Sequence, residues 1–420
     1  MAISAEWEKL TKVMIHRPGL EIEYAMLSPR SFLFERPFNT ARARKEHDGL
    51  AETLRSEGVD VMHLRDAYIK LADSRKSFRR ALEEKVIDNV MFFGEVTDVA
   101  KARKEFARNA SDLDSSTLFE ILTLEPSLDL RKSTDGGISY PTVYSNIPLA
   151  NLYFMRDQQA VMPAGMVIGN MKSPQRKKEI EITSFLFEKG LNLEGIFAIN
   201  GEGTLEGGDF IPAGDYALFG TGNRTNISGV MQAMNSGLLQ FDTIYAVENP
   251  VYKFMEPSPD PMVNMHLDTY INFPSSSAVV TSAELCRNAV VQVFHRNGDL
   301  YERAGSEKLI DVIRERDLNI IDLSVAEQLS YASNFLTLRD GRILAIDTGK
   351  VISRLLERDA FRGKTLDAVK DAYNRSGGKN MFPSGKDLRE HGIDQVTLDL
   401  QELTGGYGGA HCMTASIERI

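Results

Sequence analysis

Apolar residues recur in two different rhythms along the chain, and the changes of rhythm divide it. Residues 11–17 (TKVMIHR) read as a strand that stops at the turn pair Pro18–Gly19. His47, Leu50, Ala51 and Leu54 then fall at i, i+3, i+4 and i+7, which predicts a helix closed at Gly58, and VDVMHL (59–64) predicts a second strand. From about residue 68 the two-residue alternation disappears. Charged segments such as SFRRALEEKVI and TLFEILTLEP predict an inserted helical domain over 68–134, set within an α/β domain built from 1–67 and 135–420. Ser133 to Ile138, with Asp135, Gly136 and Gly137, is expected as its exit loop.

Beyond the insertion one pattern repeats. Asp157 leads into QQAVMPAGMVIGN, Asp209 into FIPAGDYALFGTG, Asp268 into TYINFPSSSAVV and Asn334 into FLTLRDGRILAID. Each is a polar start, an apolar strand, a tight turn and a second apolar strand, hence a β-hairpin. The first two hairpins run on into helical stretches near Lys177–Glu188 and Ile227–Leu239, so the repeat predicts ββαβ modules in radial arrangement. Cys412 would begin the last module, delivered by the glycine-rich run Gly405–Gly409. Modules set around an axis bring their polar starts together at one centre.

Composition narrows what that centre can serve. The formal charge of −10 and the lack of a basic run with interleaved aromatics argue against a nucleic-acid partner. Two cysteines make no disulfide framework, and neither an apolar run near 18 residues nor a signal-like N-terminus is seen. A cytoplasmic protein without a membrane partner is therefore expected, and an acidic surface favours a cationic ligand.

The candidate chemistry follows from residue type. Asp157 and Asp268 are acceptors, His266 shares a strand face with Asp268, and Glu206 precedes a Gly207–Gly208 pair that lets backbone approach closely. A guanidinium suits them: it is planar, forked and cationic, so carboxylates grip it while its carbon faces a nucleophile. Cys412 would attack that carbon, and His266 would protonate the departing ammonia and then activate water. Taken singly, each residue has a plainer reading: Asp157 and Asp268 as strand-end caps, Glu206 as part of a turn, and His266 and Cys412 as core. A divalent ion on Asp157, Glu206, His266 and Asp268 is a weaker alternative, since the thiol and the lack of a paired histidine spacing favour a guanidinium. Cys286 reads as core, and His295, His391 and His411 are left unplaced.

NLYFMRD (151–157), EGGD (206–209), MHLD (265–268) and GGAHCM (408–413), in that order, resemble the arginine deiminases of the guanidino-group-modifying superfamily. HRPG near the N-terminus, the EHDGLAETLRSEGVDV segment and the helical insertion extend the resemblance over nearly the whole chain. It implies a five-bladed α/β propeller with an inserted helical domain, and hydrolysis of free L-arginine to L-citrulline and ammonia with no cofactor and no metal. It further implies Cys412 as nucleophile, His266 as acid and base, Asp157 and Asp268 on the guanidinium, and Glu206 behind His266. Asn151 and Phe154 would line the pocket, Arg176 and Arg224 would receive the α-carboxylate, and the chain would associate as a dimer or tetramer. Tyr407 stands where such deiminases carry an arginine five residues before the cysteine, and Met155, Gln158 and Gln159 also depart from the pattern. An amidinotransferase, an ornithine-forming arginine dihydrolase or a non-catalytic arginine binder are the alternatives.

Overall fold

The computed structural model describes residues 2–130, 134–135, 138–139, 141–256, 262–378, 380–386 and 388–420. Five of its sheets repeat one unit: an antiparallel strand pair whose second strand pairs in parallel with a third. Gln159–Met162 and Gly165–Ile168 are joined by Ile196–Ala198. Phe210–Ala213 and Tyr216–Thr221 are joined by Thr243–Glu248. Ile271–Ser275 and Ala278–Thr281 take Asn319–Asp322, and Leu336–Arg339 and Arg342–Ile346 take Asp394–Leu398. The fifth unit joins the chain ends: Ala415–Arg419 runs antiparallel to Leu10–Ile15, which pairs in parallel with Asp60–His63.

The expected hairpins form where the pattern placed them, and local chemistry explains their turns. Gly214 (φ 84°) and Gly341 (φ 72°) take the left-handed conformation that two-residue turns demand. The strand Gln159–Met162 and its partner Gly165–Ile168 are buried at every position, so their apolar residues run on without alternation, as in sheets covered on both faces. The connecting helices cover them. Asn39 caps Thr40–Ser56 through its side chain on the Arg42 amide at 2.9 Å, and Asn226 caps Ile227–Met234 on the Gly229 amide at 2.8 Å. In the third unit the link between second and third strands includes a long hairpin, Val290–Asn297 with Leu300–Lys308, which extends the second unit's sheet to five strands.

Helices form over Leu64–Ser74, Lys76–Asn89, Val96–Asn109 and Ser115–Leu124, the first of them starting ahead of residue 68. Three short strands, Met91–Phe93, Pro126–Asp129 and Thr142–Ser145, form a small sheet beside them. Segments of three or four residues are too short to show alternation. Phe78, Leu82, Val86, Leu118 and Phe119 share one core with Leu152, Met155, Ile182 and Phe187, so the helices are packed onto the first unit. Of the expected exit loop, Ser133, Gly136 and Gly137 lie outside the described residues, while Thr134–Asp135 pairs with Ile138–Ser139. No helix among the described residues is long and apolar enough to cross a membrane.

Candidate active site

The polar starts of the units meet. Asp157, Asp209, Asp268, Asn334 and Cys412, expected at equivalent ends of successive modules, are all buried and linked through short contacts. Asn334 organises the thiol: its Oδ1 accepts the amides of Gly409 at 2.7 Å and Cys412 at 3.1 Å, while its Nδ2 donates to Cys412 Sγ at 3.0 Å. One side chain fixes both ends of the turn that carries the cysteine.

The glycine run before Cys412 is buried and partly wound into a 3₁₀ turn, Leu403–Gly406, so close packing is its purpose. A Cβ on Gly408 would lie 2.7 Å from the Phe154 ring and 3.2 Å from Cys412 Sγ. Gly208 works in the same way. A Cβ there would stand 2.9 Å from His266 Nδ1 and 3.0 Å from Asp157 Oδ1, so its absence lets these two groups approach.

His266 sits among acids. Its Nε2 donates to Glu206 Oε2 at 2.9 Å, and its Nδ1 lies 3.7 Å from Asp157 Oδ1. Burial is the largest single influence and would discharge the ring, but Asp157, Glu206 and Asp209 together outweigh it and raise the pKa to about 9. The histidine is a cation at neutral pH. Glu206 is held well below the ordinary carboxylate range: burial opposes this, and the His266 hydrogen bond and charge overcome it. Cys412 goes the other way. Burial first, then the charges of Asp268 and Asp157, push its thiol far up, and Sγ donates to Asp268 Oδ2 at 3.4 Å. The resting thiol is protonated.

Behind the thiol lies a layer of buried charge. His411 bridges Asp268 Oδ2 at 2.8 Å and Glu6 Oε1 at 3.3 Å, and Glu6 also pairs with Arg156 and Arg419. Burial would raise the pKa of Asp268, yet the hydrogen bond and charge of His411 hold it below its usual value. Neither His411 nor Glu6 was placed by sequence reasoning. His411 adjoins Cys412, which was a usable hint; Glu6, some four hundred residues away, gave none.

A small cavity opens on this cluster, lined by Asn151, Phe154, Asp157, Arg176, Arg224, His266 and Cys412. Glu206 and Asp268 stand behind that wall. Asn151 is fixed by its Nδ2 on the Phe32 carbonyl at 2.8 Å, and Arg224 meets the Ser173 hydroxyl and Met262 Sδ. Arg176 is more engaged than an open anion receptor. Its Nη1 donates to Asp157 Oδ2 at 2.5 Å, and its Nε and Nη2 grip Glu179 Oε2 at 3.0 and 2.9 Å. Gln158 Nε2 donates to Glu179 Oε2 at 3.0 Å and so supports this pair. Asp157, Glu206 and His266 also bring ligand atoms within 4.8 Å of one another, but Arg176 and the His266 ring already supply positive charge there. Among the described residues, nothing donates a hydrogen bond to the buried Asp157 Oδ1 or Asp268 Oδ1.

The arginine deiminase family profile matches residues 30–419. The chain belongs to the arginine deiminase family. Arginine deiminase of Limosilactobacillus reuteri is 26% identical over 99% of this chain and 97% of its own, and that of Streptococcus uberis is 27% identical with the same coverage. Among solved structures, the N-terminal domain of ArgZ, a cyanobacterial arginine dihydrolase, superposes with a TM-score of 0.52 at 12% identity, covering 97% of this chain and 98% of that one. That likeness concerns the α/β fold. Tyr407, in the glycine run before Cys412, stands on the wall of the cavity.

Proposed function

We propose that the chain is an arginine deiminase that hydrolyses free L-arginine to L-citrulline and ammonia through a covalent thiouronium on Cys412. One observation carries the reading: among the described residues, two buried carboxylate oxygens, Asp157 Oδ1 and Asp268 Oδ1, accept no hydrogen bond beside a buried thiol and a histidine cation. Unpaired buried carboxylate oxygens are costly, and a guanidinium offers the N–H donors and the charge that answer them.

Burial and the Asp157 and Asp268 charges together hold Cys412 protonated; a guanidinium bound there offsets the charges and favours the thiolate, whose proton passes to solvent. The thiolate attacks the guanidino carbon. His266 gives its proton to the departing nitrogen, ammonia leaves, and the S–C bond remains. Neutral His266 then takes a proton from water as its oxygen attacks the carbon; the S–C bond breaks and citrulline forms. Glu206 orients the imidazole throughout. Asn151 and Phe154 shape the pocket, while Arg224 and the remaining Arg176 donors receive the α-carboxylate. No metal or cofactor takes part in this scheme.

The same reading places the five sheet units around one axis as the blades of an α/β propeller, formed by 1–67 and 135–420, with residues 68–134 as the inserted helical domain. A cytoplasmic homodimer or tetramer completes it. The test is product analysis: purified protein with L-arginine should release citrulline and ammonia in equal amounts, and Cys412→Ala should release neither. Ornithine with two equivalents of ammonia, or amidino transfer to an added amine, would replace the reading with one of its rivals.

A further inference from the structure

A second, larger cavity adjoins the first. Its volume is about 820 Å³, and it shares Leu33, Met262 and Tyr407 with the catalytic cavity. These three side chains form a common wall. Tyr407 is held in a left-handed conformation (φ 69°) between two glycines, and Met262 also touches Arg224 on the catalytic side, so a ligand in either cavity bears on the same partition.

The chemistry of the larger cavity is distinctive. In a chain of net charge −10, five cations line it: Arg30, Arg36, Arg358, Arg362 and Lys364. Only two acids oppose them, Glu35 and Asp359, and Glu35 is already paired with Arg36 at 2.6 Å. Five cations against two acids leave an excess of three positive charges. Among the described residues, Arg30, Arg358, Arg362 and Lys364 have no ion-pair partner, and the buried Arg36 keeps its Nε unbonded. The thirteen-residue helix Gly363–Arg375 starts at this rim with no side-chain cap, adding the positive end of its dipole. Below the rim the wall is apolar: Phe34, Phe254, Leu329, Tyr331, Leu355 and Phe361.

Cations around an apolar bowl match a ligand with an anionic head and an apolar body. We propose that this cavity is a second binding site, for an organic anion with an apolar body, and that its occupancy reaches the catalytic cavity through Leu33, Met262 and Tyr407. A small inorganic anion would leave the apolar wall unused, and a neutral apolar compound would leave the cations unanswered.

The probe is anilinonaphthalene sulfonate, which carries both parts; phenylnaphthylamine, without the sulfonate, and inorganic phosphate, without the rings, serve as controls. Fluorescence titration of the native protein should give one saturable site per chain, bound on the order of tenfold more weakly by Arg358→Glu/Arg362→Glu. That variant changes two exposed residues outside the catalytic cavity, and its unaltered circular dichroism would show that it folds. Saturating dye should also raise the KM for L-arginine in the native protein and not in the variant. Equal affinity in both proteins, or phenylnaphthylamine binding as tightly as the sulfonate, would overturn the anion site. A KM unmoved by bound dye would overturn the coupling. Dye binding is read without turnover, so failure of the deiminase reading and failure of this one are distinguishable.

Discussion

Two buried histidines, His266 and His47, occupy different interiors of the same fold and behave oppositely. His47, on the helix Thr40–Ser56, is fully buried, and among the described residues neither ring nitrogen finds a hydrogen-bond partner. Burial, with the neighbouring His63 and His16, lowers its pKa to about 3, so it is neutral apolar filling. His266 is as deeply buried, yet Asp157, Glu206 and Asp209 overcome burial and take it to about 9. Depth alone therefore marks nothing. What separates a site from a core is the set of opposite charges gathered within a few ångströms of the ring, and here that set comes from separate sheet units meeting at their polar ends.

The two thiols put the comparison to its strongest test. Burial raises both, but Cys286 rests against Thr281 Oγ1 at 3.1 Å, away from the cavity, while Cys412 stands in the cavity wall. Cys412→Ala should abolish citrulline release, whereas Cys286→Ala should keep kcat within a few-fold; comparable losses would erase the distinction. Next in size, His266→Asn removes the proton carrier and should lower kcat on the order of 10²–10⁴-fold, with Glu206 left to pair with an uncharged amide. A steady-state assay at neutral pH reads it. Arg224→Ala should raise KM for L-arginine on the order of tenfold or more, while agmatine, which has no carboxylate, should change little. If both substrates weaken alike, Arg224 shapes the pocket without reading the carboxylate.

The smallest effect concerns His47. Its folded pKa lies below the unfolded value of about 6.5, so between about 6.5 and 3 the unfolded chain holds a proton that the folded chain does not. Stability consequently falls as pH falls through that window, by at most about 1.4 kcal/mol per pH unit from this residue. His47→Leu should flatten that slope in urea titrations at pH 6.5, 5.5 and 4.5. His266 has the opposite sign. With its folded pKa raised, its stabilisation is present below the unfolded value and is lost as pH rises through about 9, so its removal should soften the alkaline limb instead.

How much of this was legible in the residues depended on distance along the chain. Hairpins such as Leu336–Arg339 with Arg342–Ile346 announce themselves, because two apolar runs flank an Asp340–Gly341 turn. The closing unit hides half of itself, since Leu10–Ile15 and Ala415–Arg419 stand at opposite ends and neither names its partner. Within the site, the motif residues carried their types and order, and seven of the nine candidates line the cavity; Glu206 and Asp268, the other two, stand behind it. The engagement of Arg176 was partly readable: Glu179, three residues on, lies at the spacing for an ion pair. The Glu6–His411–Asp268 layer was not, because a contact between residues 6 and 411 leaves no local pattern.

Covalent catalysis at Cys412, with the bound guanidinium favouring its thiolate, is the step to test. Acid quenching during turnover of radiolabelled L-arginine, followed by digestion and mass spectrometry of the labelled peptides, tests it directly. The account predicts label on the peptide containing Cys412, with the mass of arginine less ammonia, and none on the peptide containing Cys286. Citrulline accumulating with no label on Cys412 at any quench time, or forming undiminished in Cys412→Ala, would contradict it.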